Sequence, residues 1–158
     1  MFECSEPAPA AAPPSAEHIA WFEQAYRVSL PRSFRELLTT CNGGVPTTPV
    51  FDTGDHERLI ERFLCLVDDP NEEPLGDYDI TIVITDINDR LGDADEIGTS
   101  LVPFAALFAG DFACLDYRGG RDEPAVGVWD HERSLEFQPF VVPVADSLEA
   151  FADLCRSA

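Results

Sequence analysis

The side chains best suited to chemistry are the imidazole and two carboxylates of Asp130, His131 and Glu132. A neighbouring carboxylate favours a protonated imidazole, so a histidine placed in this way can serve as a general base near neutral pH. No nucleophile or oxyanion-stabilising group accompanies the triplet, and the chain has no G-x-S-x-G, H-E-x-x-H or G-x-G-x-x-G motif. We therefore predict no catalytic residue and interpret the triplet as a strand end that can bind a partner. An enzyme using His131 stays open as an alternative.

A second candidate is a run of carboxylates in a loop. Six acidic residues lie between positions 68 and 79, and no basic residue interrupts them. Such a run often only keeps a loop solvated, but it also speeds encounter with a basic partner. We predict partner-binding residues at Asp68, Asp69, Glu72, Glu73, Asp77, Asp79, Asp130, His131 and Glu132. The candidates to extend this surface are Asp93, Asp95 and Glu96.

The acidic segment 86–96 has some resemblance to a calcium-binding loop, but the ligand positions do not match. Counted from Asp86, the fifth position is Arg90 and the glycine position is Leu91. The five cysteines are scattered and form no C-x-x-C motif. We predict no metal site, no cofactor and no disulfide, with reduced thiols in a cytoplasmic protein.

The overall charge excludes several classes of function. The chain of 158 residues has 30 acidic and 10 basic residues, all ten of them arginine, for a net charge of −20. Without lysine there is no P-loop lysine and no Schiff base. Phosphates would be repelled, which argues against nucleic acid or an anionic membrane as partner. The first residues do not resemble a signal peptide, and no apolar run is long enough to span a bilayer. Oligomeric state is left open.

Apolar residues at helical spacing predict the elements that must position these loops. We expect a helix over 16–27 capped by Ser15 and another over 31–41, ended by the glycines after Asn42. The segment 80–91 has β-branched residues typical of a strand, but its apolar spacing favours a helix capped by Asp79. A last helix over 146–156 is predicted with Asp146 as its cap.

Strand signals fill the rest of the chain. We predict strands at 101–105, 112–116 and 126–130, a short strand at 50–51, a strand or helix–strand junction at 59–67, and a further strand within 135–142. Helices at both ends of a strand-rich middle predict an α+β domain, with a mainly antiparallel sheet and helices packed on it. Residues 1–14 are expected to be a flexible Pro/Ala-rich lead-in, and residues 15–158 a single domain.

Several motifs occur in an order that resembles a known family. The motifs are Leu30-Pro31 with Phe34, Leu37 and Leu38, then Asn42-Gly43-Gly44, then Val102-Pro103-Phe104-Ala105, Gly110-Asp111-Phe112, Val126 to Glu132, and Ala145 to Phe151. In this order they resemble the SUKH superfamily, within it the group named after the fungal Smi/Knr cell-wall regulators. The resemblance covers about residues 17–155, and the region 45–100 matches least.

The resemblance implies a binding protein without an active site. Bacterial members of the family look like immunity proteins that neutralise a cognate toxin, and fungal members look like regulators or scaffolds. We therefore predict a non-enzymatic protein-binding module, an immunity protein whose partner is a toxin with a basic surface. The alternative is a regulatory or scaffold module for a housekeeping partner.

Overall fold

The structure is a computed structural model that describes residues 1–91, 100–120, 122–134 and 139–158. In these ranges the chain forms helices and a six-stranded sheet. The helices are α1 (Ala16–Tyr26), α2 (Arg32–Thr40), α3 (Ile80–Leu91) and α4 (Leu148–Leu154), and a short 3-10 helix covers Gly76–Tyr78. The strands are β1 (Val50–Asp52), β2 (Glu57–Phe63), β3 (Leu101–Leu107), β4 (Phe112–Asp116), β5 (Ala125–Trp129) and β6 (Val141–Ala145).

The sheet is an antiparallel meander in which the strands lie in chain order from β1 to β6. The longest connection, between β2 and β3, carries the acidic segment and α3. Gly127 in β5 is required by close packing, because a Cβ there would lie 2.5 Å from Cγ1 of Val141 in β6. This architecture confirms the predicted α+β class with an antiparallel sheet.

Aromatic side chains form the core between the sheet and two of the helices. The Phe151 ring of α4 lies 4.9 Å from Phe51 and 5.6 Å from Phe104, and Phe34 of α2 lies 6.3 Å from Phe104. Edge-to-face contacts at these distances add to the free energy gained from burial. All seven residues of β3 are buried, and α3 packs against this strand. Helices therefore cover the central strand, which explains its nearly continuous apolar sequence.

The predicted helices are confirmed, with one correction at a cap. Ser15 caps α1 as expected, and α3 is a helix that follows Asp79 despite its β-branched residues. Its apolar residues recur on one buried face, and that spacing outweighs intrinsic strand preference. For α4 the predicted cap Asp146 is wrong, because the Ser147 side chain accepts the hydrogen bond from the Ala150 amide at 3.1 Å.

The strand predictions are confirmed in place and corrected in extent. The segment 59–67 resolves into β2 followed by the buried residues 64–67. The strand expected within 135–142 is β6 at Val141–Ala145, while residues 135–138 lie outside the described ranges. Among the described residues, the pairing of this strand with β5 begins at Val141, which lies opposite Trp129. Within the described ranges, no helix is both long and apolar enough to cross a membrane.

The first fourteen residues, expected as a flexible lead-in, contact the domain in this structure. The Phe2 ring is buried 4.8 Å from the Phe63 ring. The Ser5 amide donates to the Val45 carbonyl at 2.9 Å, and the Ala11 amide donates to the Asn42 carbonyl at 2.9 Å. An apolar anchor and two backbone hydrogen bonds therefore hold this segment along the end of α2.

The prediction that no disulfide is present is wrong. Cys4 and Cys41 are joined by a disulfide across a sequence separation of 37. The N-terminal segment pairs with residue 46 and so places Cys4 beside the end of α2, a proximity that sequence spacing does not show. Cys65, Cys114 and Cys155 are free thiols. Burial raises the pKa of Cys65 to about 12, and that of Cys155 to about 12, so neither is a reactive thiolate at neutral pH.

Candidate functional site

We call residues 68–79 the acidic loop, and most of its carboxylates face solvent. Five of its six acidic side chains are exposed, and the sixth, Asp79, is fully buried. The exposed ones are Asp68, Asp69, Glu72, Glu73 and Asp77. The loop therefore presents a dense negative surface, as the sequence predicted for these five positions.

The backbone of the acidic loop is tightly folded. The Glu72 amide donates to the Asp69 carbonyl at 3.1 Å, and the Gly76 amide donates to the Glu73 carbonyl at 3.0 Å, which closes two consecutive turns. Gly76 lies so close to Pro70 that a Cβ on it would be 1.7 Å from the Pro70 carbonyl oxygen. The exposed carboxylates are thus displayed from a fixed scaffold, which lowers the entropy cost of binding.

Asp79 anchors the acidic loop and does not belong to its exposed surface. Its carboxylate accepts hydrogen bonds from the Val67 amide at 2.9 Å and from the Thr81 amide at 2.8 Å. The Asp79 carbonyl also accepts from the Val83 amide at 3.0 Å, so the residue begins α3. Because its side chain is 0 % exposed, we assign it to positioning the loop and leave it out of the contact surface proposed below.

The start of the acidic loop contacts α1 through Asp68 and His18, which form an ion pair when the imidazole is protonated. Oδ1 of Asp68 lies 3.3 Å from Nδ1 of His18, and the Asp68 side chain is 94 % exposed. An exposed pair of this kind contributes at most about 1 kcal/mol. Asp68 can therefore exchange this contact for a cation of a partner at little cost.

The second predicted site lies at the ends of β2, β4 and β5, and Asp111 is at its centre. Arg58 Nη1 donates to Asp111 Oδ2 at 2.6 Å, and His131 Nδ1 donates to Asp111 Oδ1 at 2.6 Å. The His131 amide donates to the same Oδ1 at 3.0 Å. Arg58 and Asp111 were not predicted, because 53 residues separate them in the sequence.

Asp130 of the predicted triplet is buried and shapes the turn after β5. Its Oδ1 accepts from the amides of Glu132 and Arg133, each at 3.0 Å, and its Oδ2 accepts from Arg133 Nε at 2.8 Å. Burial alone would raise the pKa of Asp130, but the hydrogen bonds from Arg133 and Glu132 lower it below its ordinary value. Glu132 is exposed and His131 is half-buried, so these two face solvent.

The His131 ring has only part of the arrangement that nucleophilic catalysis uses. Its described hydrogen-bond partner is the Asp111 carboxylate at Nδ1, which can orient an imidazole but is not a nucleophile for it to activate. A nucleophile–base pair would need a hydroxyl or thiol at this distance. The described ranges also contain no group of three or more His, Cys, Asp or Glu side chains that could hold a metal ion.

A groove connects the acidic loop with the strand-end site. Its volume is about 200 Å3, and carboxylates from four separate elements line it, with two aromatic rings. These residues are Glu61 of β2, Asp77 of the acidic loop, Asp86 of α3, Asp111 before β4, and the rings of Tyr78 and Phe112. We call it the acidic groove. Its size and charge suit the side chain of an arginine or lysine from a partner.

Sequence reasoning missed Glu61 and Asp86 as members of this surface. Both are exposed carboxylates next to one buried isoleucine, so each resembles an ordinary solvent-facing position. Glu61 lies at the irregularity in register between Ile60 and Arg62, and such bulges redirect side chains. Asp93, Asp95 and Glu96 fall outside the described residues.

An antiparallel sheet with helices packed on it defines a domain of the α+β class. Comparison with protein-family models identifies the family. The model of the SMI1 / KNR4 family (SUKH-1) matches residues 13–154, so the chain belongs to that family. This confirms the resemblance found from the motifs. Comparison with curated proteins found no significant match.

Proposed function

We propose that the chain is a bacterial immunity protein that binds and neutralises a toxin with a basic surface in the cytoplasm. Membership of the SMI1 / KNR4 family supports a role in protein interaction. The proposal of a basic toxin rests on one observation. Five exposed carboxylates lie on a fixed loop that adjoins the acidic groove. We propose binding without catalysis, cofactor, nucleic acid or membrane.

The charges on this surface favour capture of a basic protein. The net charge of −20 produces a negative field around the whole molecule, which accelerates encounter with cationic surfaces. The acidic loop concentrates this attraction at one place on the surface. One of its five exposed carboxylates has a described ion-pair partner. A partner cation therefore gains attraction without breaking many existing pairs.

The acidic groove adds orientation to this attraction. A guanidinium that entered it would meet the exposed carboxylates of Glu61, Asp77 and Asp86 and the ring of Phe112. Asp111 is already paired with Arg58, and Arg62 lies over the Tyr78 ring, 5.2 Å from its centroid. Arginine binds carboxylates through paired hydrogen bonds and also stacks on aromatic faces. We therefore propose that an arginine of the partner occupies the groove while other cations contact the loop.

Co-expression with the polypeptide encoded by the neighbouring gene tests this proposal. We expect that the wild-type chain restores growth of cells that make that polypeptide. We expect little rescue from the variant Asp68→Asn, Asp69→Asn, Glu72→Gln and Glu73→Gln, called the loop-neutral variant, at equal cellular levels.

A matched control removes the same number of charges elsewhere. Asp122→Asn, Glu123→Gln, Asp146→Asn and Glu149→Gln alter four exposed carboxylates that line a separate cavity of about 390 Å3 beside α4. This remote-neutral variant should rescue growth like the wild type. If the wild-type chain gives no rescue, the immunity role is wrong, and the regulatory alternative takes its place.

A further inference from the structure

Three apolar side chains form a row across the outer face of the sheet. Val50 of β1 lies opposite Leu59 of β2, and the Phe108 amide, just beyond β3, donates to the Leu59 carbonyl at 2.9 Å. Residues opposite one another in an antiparallel pair project to the same face. We call Val50, Leu59 and Phe108 the apolar row.

Leu59 and Phe108 of the apolar row face solvent and Val50 is half-buried, although Phe51, Ile60 and Leu107 beside them in the sequence are in the core. Leu59 is 41 % exposed and Phe108 is 70 % exposed, whereas Ile60 and Leu107 are 2 % and 1 % exposed. The alternation of strand side chains accounts for this contrast, since it directs adjacent residues to opposite faces. Phe108 has the largest exposed fraction of the described large apolar residues.

A tight turn fixes Phe108 in this exposed position. The Gly110 amide donates to the Leu107 carbonyl at 3.3 Å, which places Phe108 and Ala109 at the centre of the turn. Ala109 has φ of 75°, a left-handed conformation that costs a non-glycine residue about 1–2 kcal/mol. The buried pair of Arg58 and Asp111 holds the base of the turn.

Carboxylates flank the apolar row on both sides. Asp52 and Glu57 are opposite each other next to Val50 and Leu59, and Glu61 follows two positions after Leu59. All three are exposed, and Glu61 also lines the acidic groove. The nearby Arg156 is already paired with Glu57. The row is thus an apolar centre with an acidic rim, continuous with the groove.

We propose that the apolar row is the anchor of the partner interface, and that the partner presents apolar side chains surrounded by arginine or lysine. Protein interfaces commonly have an apolar centre, rich in aromatic anchors, inside a polar rim. A second copy of this chain fits poorly, because two acidic rims would repel each other. The inference rests on the proposed function and specifies the chemistry of the same partner.

Synthetic peptides provide a probe that does not depend on the toxin. The peptide Arg-Arg-Leu-Leu-Arg-Arg combines both features, while Arg-Arg-Ser-Ser-Arg-Arg keeps only charge and Ser-Ser-Leu-Leu-Ser-Ser only apolar groups. Titration of isotope-labelled protein, followed by amide NMR shifts, should show that the first peptide binds at least fivefold more tightly than either of the others. Its shifts should centre on the apolar row and the acidic groove.

Variants decide whether Phe108 anchors this binding. Phe108→Ala and Leu59→Ala should each weaken the binding of the first peptide at least threefold. Neither should change the binding of the charge-only peptide. Phe140→Ala and Leu154→Ala, which shorten exposed side chains outside the row, are the matched controls and should change nothing. Retained amide spectra show that the variants are folded.

Equal binding by the Phe108→Ala variant, or equal binding of the charge-only peptide, would overturn the inference. Sedimentation showing a dimer that Phe108→Ala dissociates would overturn it in favour of a second copy. If the wild-type chain restores growth but peptide binding does not depend on Phe108, only this inference is contradicted. If peptide binding depends on Phe108 but growth is not restored, only the immunity role is contradicted.

Discussion

At the scale of single residues, the polar groups that organise the surface are themselves buried. Asp111 links Arg58 and His131. The side chains of Arg58 and Asp111 are 11 % and 6 % exposed. Removing one member of a buried ion pair leaves the other charge uncompensated, which costs more than losing an exposed pair. Asp111 is therefore a residue on which both stability and the Phe108 turn depend.

Asp111→Asn is expected to lower the free energy of unfolding by up to about 3–5 kcal/mol, because Arg58 keeps only the more distant Asp130 carboxylate, 3.9 Å from its Nη2, as a buried counter-ion. Urea denaturation followed by tryptophan fluorescence measures the change. The control is Asp116→Asn, which breaks the more exposed pair with Arg118 and should cost within about 1 kcal/mol. Similar losses of unfolding free energy in the two variants would show that the buried pair stabilises the fold no more than the exposed pair does.

The lowered pKa of Asp130 predicts a dependence of stability on pH. Its folded-state pKa lies below the unfolded value of about 3.9, so ionised Asp130 adds stability above that value. This contribution is lost as the pH falls through the folded-state pKa. The difference in unfolding free energy between wild type and Asp130→Asn should be constant above about pH 5 and shrink below about pH 4. A difference that grows on acidification would contradict this assignment.

Alkylation tests the cysteine pairing. Protein purified in air, denatured and treated with iodoacetamide should carry three labels, at Cys65, Cys114 and Cys155. All five cysteines should be labelled after reduction. A disulfide that closes a loop with a sequence separation of 37 stabilises by about 4 kcal/mol in the chain-entropy model, so reduction should lower the urea midpoint. Five labels without reductant would rule out the bond.

At the scale of elements, the acidic loop works as a scaffold because its backbone packs on itself. Gly76→Ala forces a Cβ against the Pro70 carbonyl, so the loop must shift. We expect a loss of about 1–3 kcal/mol in urea denaturation. Gly119→Ala is the control, since a Cβ there meets nothing within 4 Å, and it should change stability by less than about 0.5 kcal/mol. An unaffected Gly76→Ala variant would mean that the loop is not tightly held.

Helices were more predictable from the sequence than the details of their ends. Apolar spacing identified α2 and α3, and the glycines after Asn42 marked the end of α2, because both signals are local. The cap of α4 was misassigned because Asp146 and Ser147 are both good capping residues, and residue type alone does not decide between them. The disulfide and the placement of residues 1–14 depend on contacts across long sequence distances, which local patterns do not encode.

For the whole molecule, the sequence predicts the net charge but not which side chains lie together on the surface. The acidic loop is contiguous in sequence, so its density of carboxylates was visible. The acidic groove takes Glu61, Asp77, Asp86 and Asp111 from four elements, and the apolar row takes residues from three segments. Only the register of the sheet and the position of α3 bring these side chains together.

Association kinetics with the purified product of the neighbouring gene measure whether the acidic loop is where the partner first binds. We predict that the loop-neutral variant associates one to three decades more slowly than the wild type at low salt, with a smaller change in dissociation rate and a flatter salt dependence. The remote-neutral variant, which loses the same charge, should stay close to the wild type. Association of the loop-neutral variant at wild-type rates at low salt would exclude the acidic loop as the site of encounter.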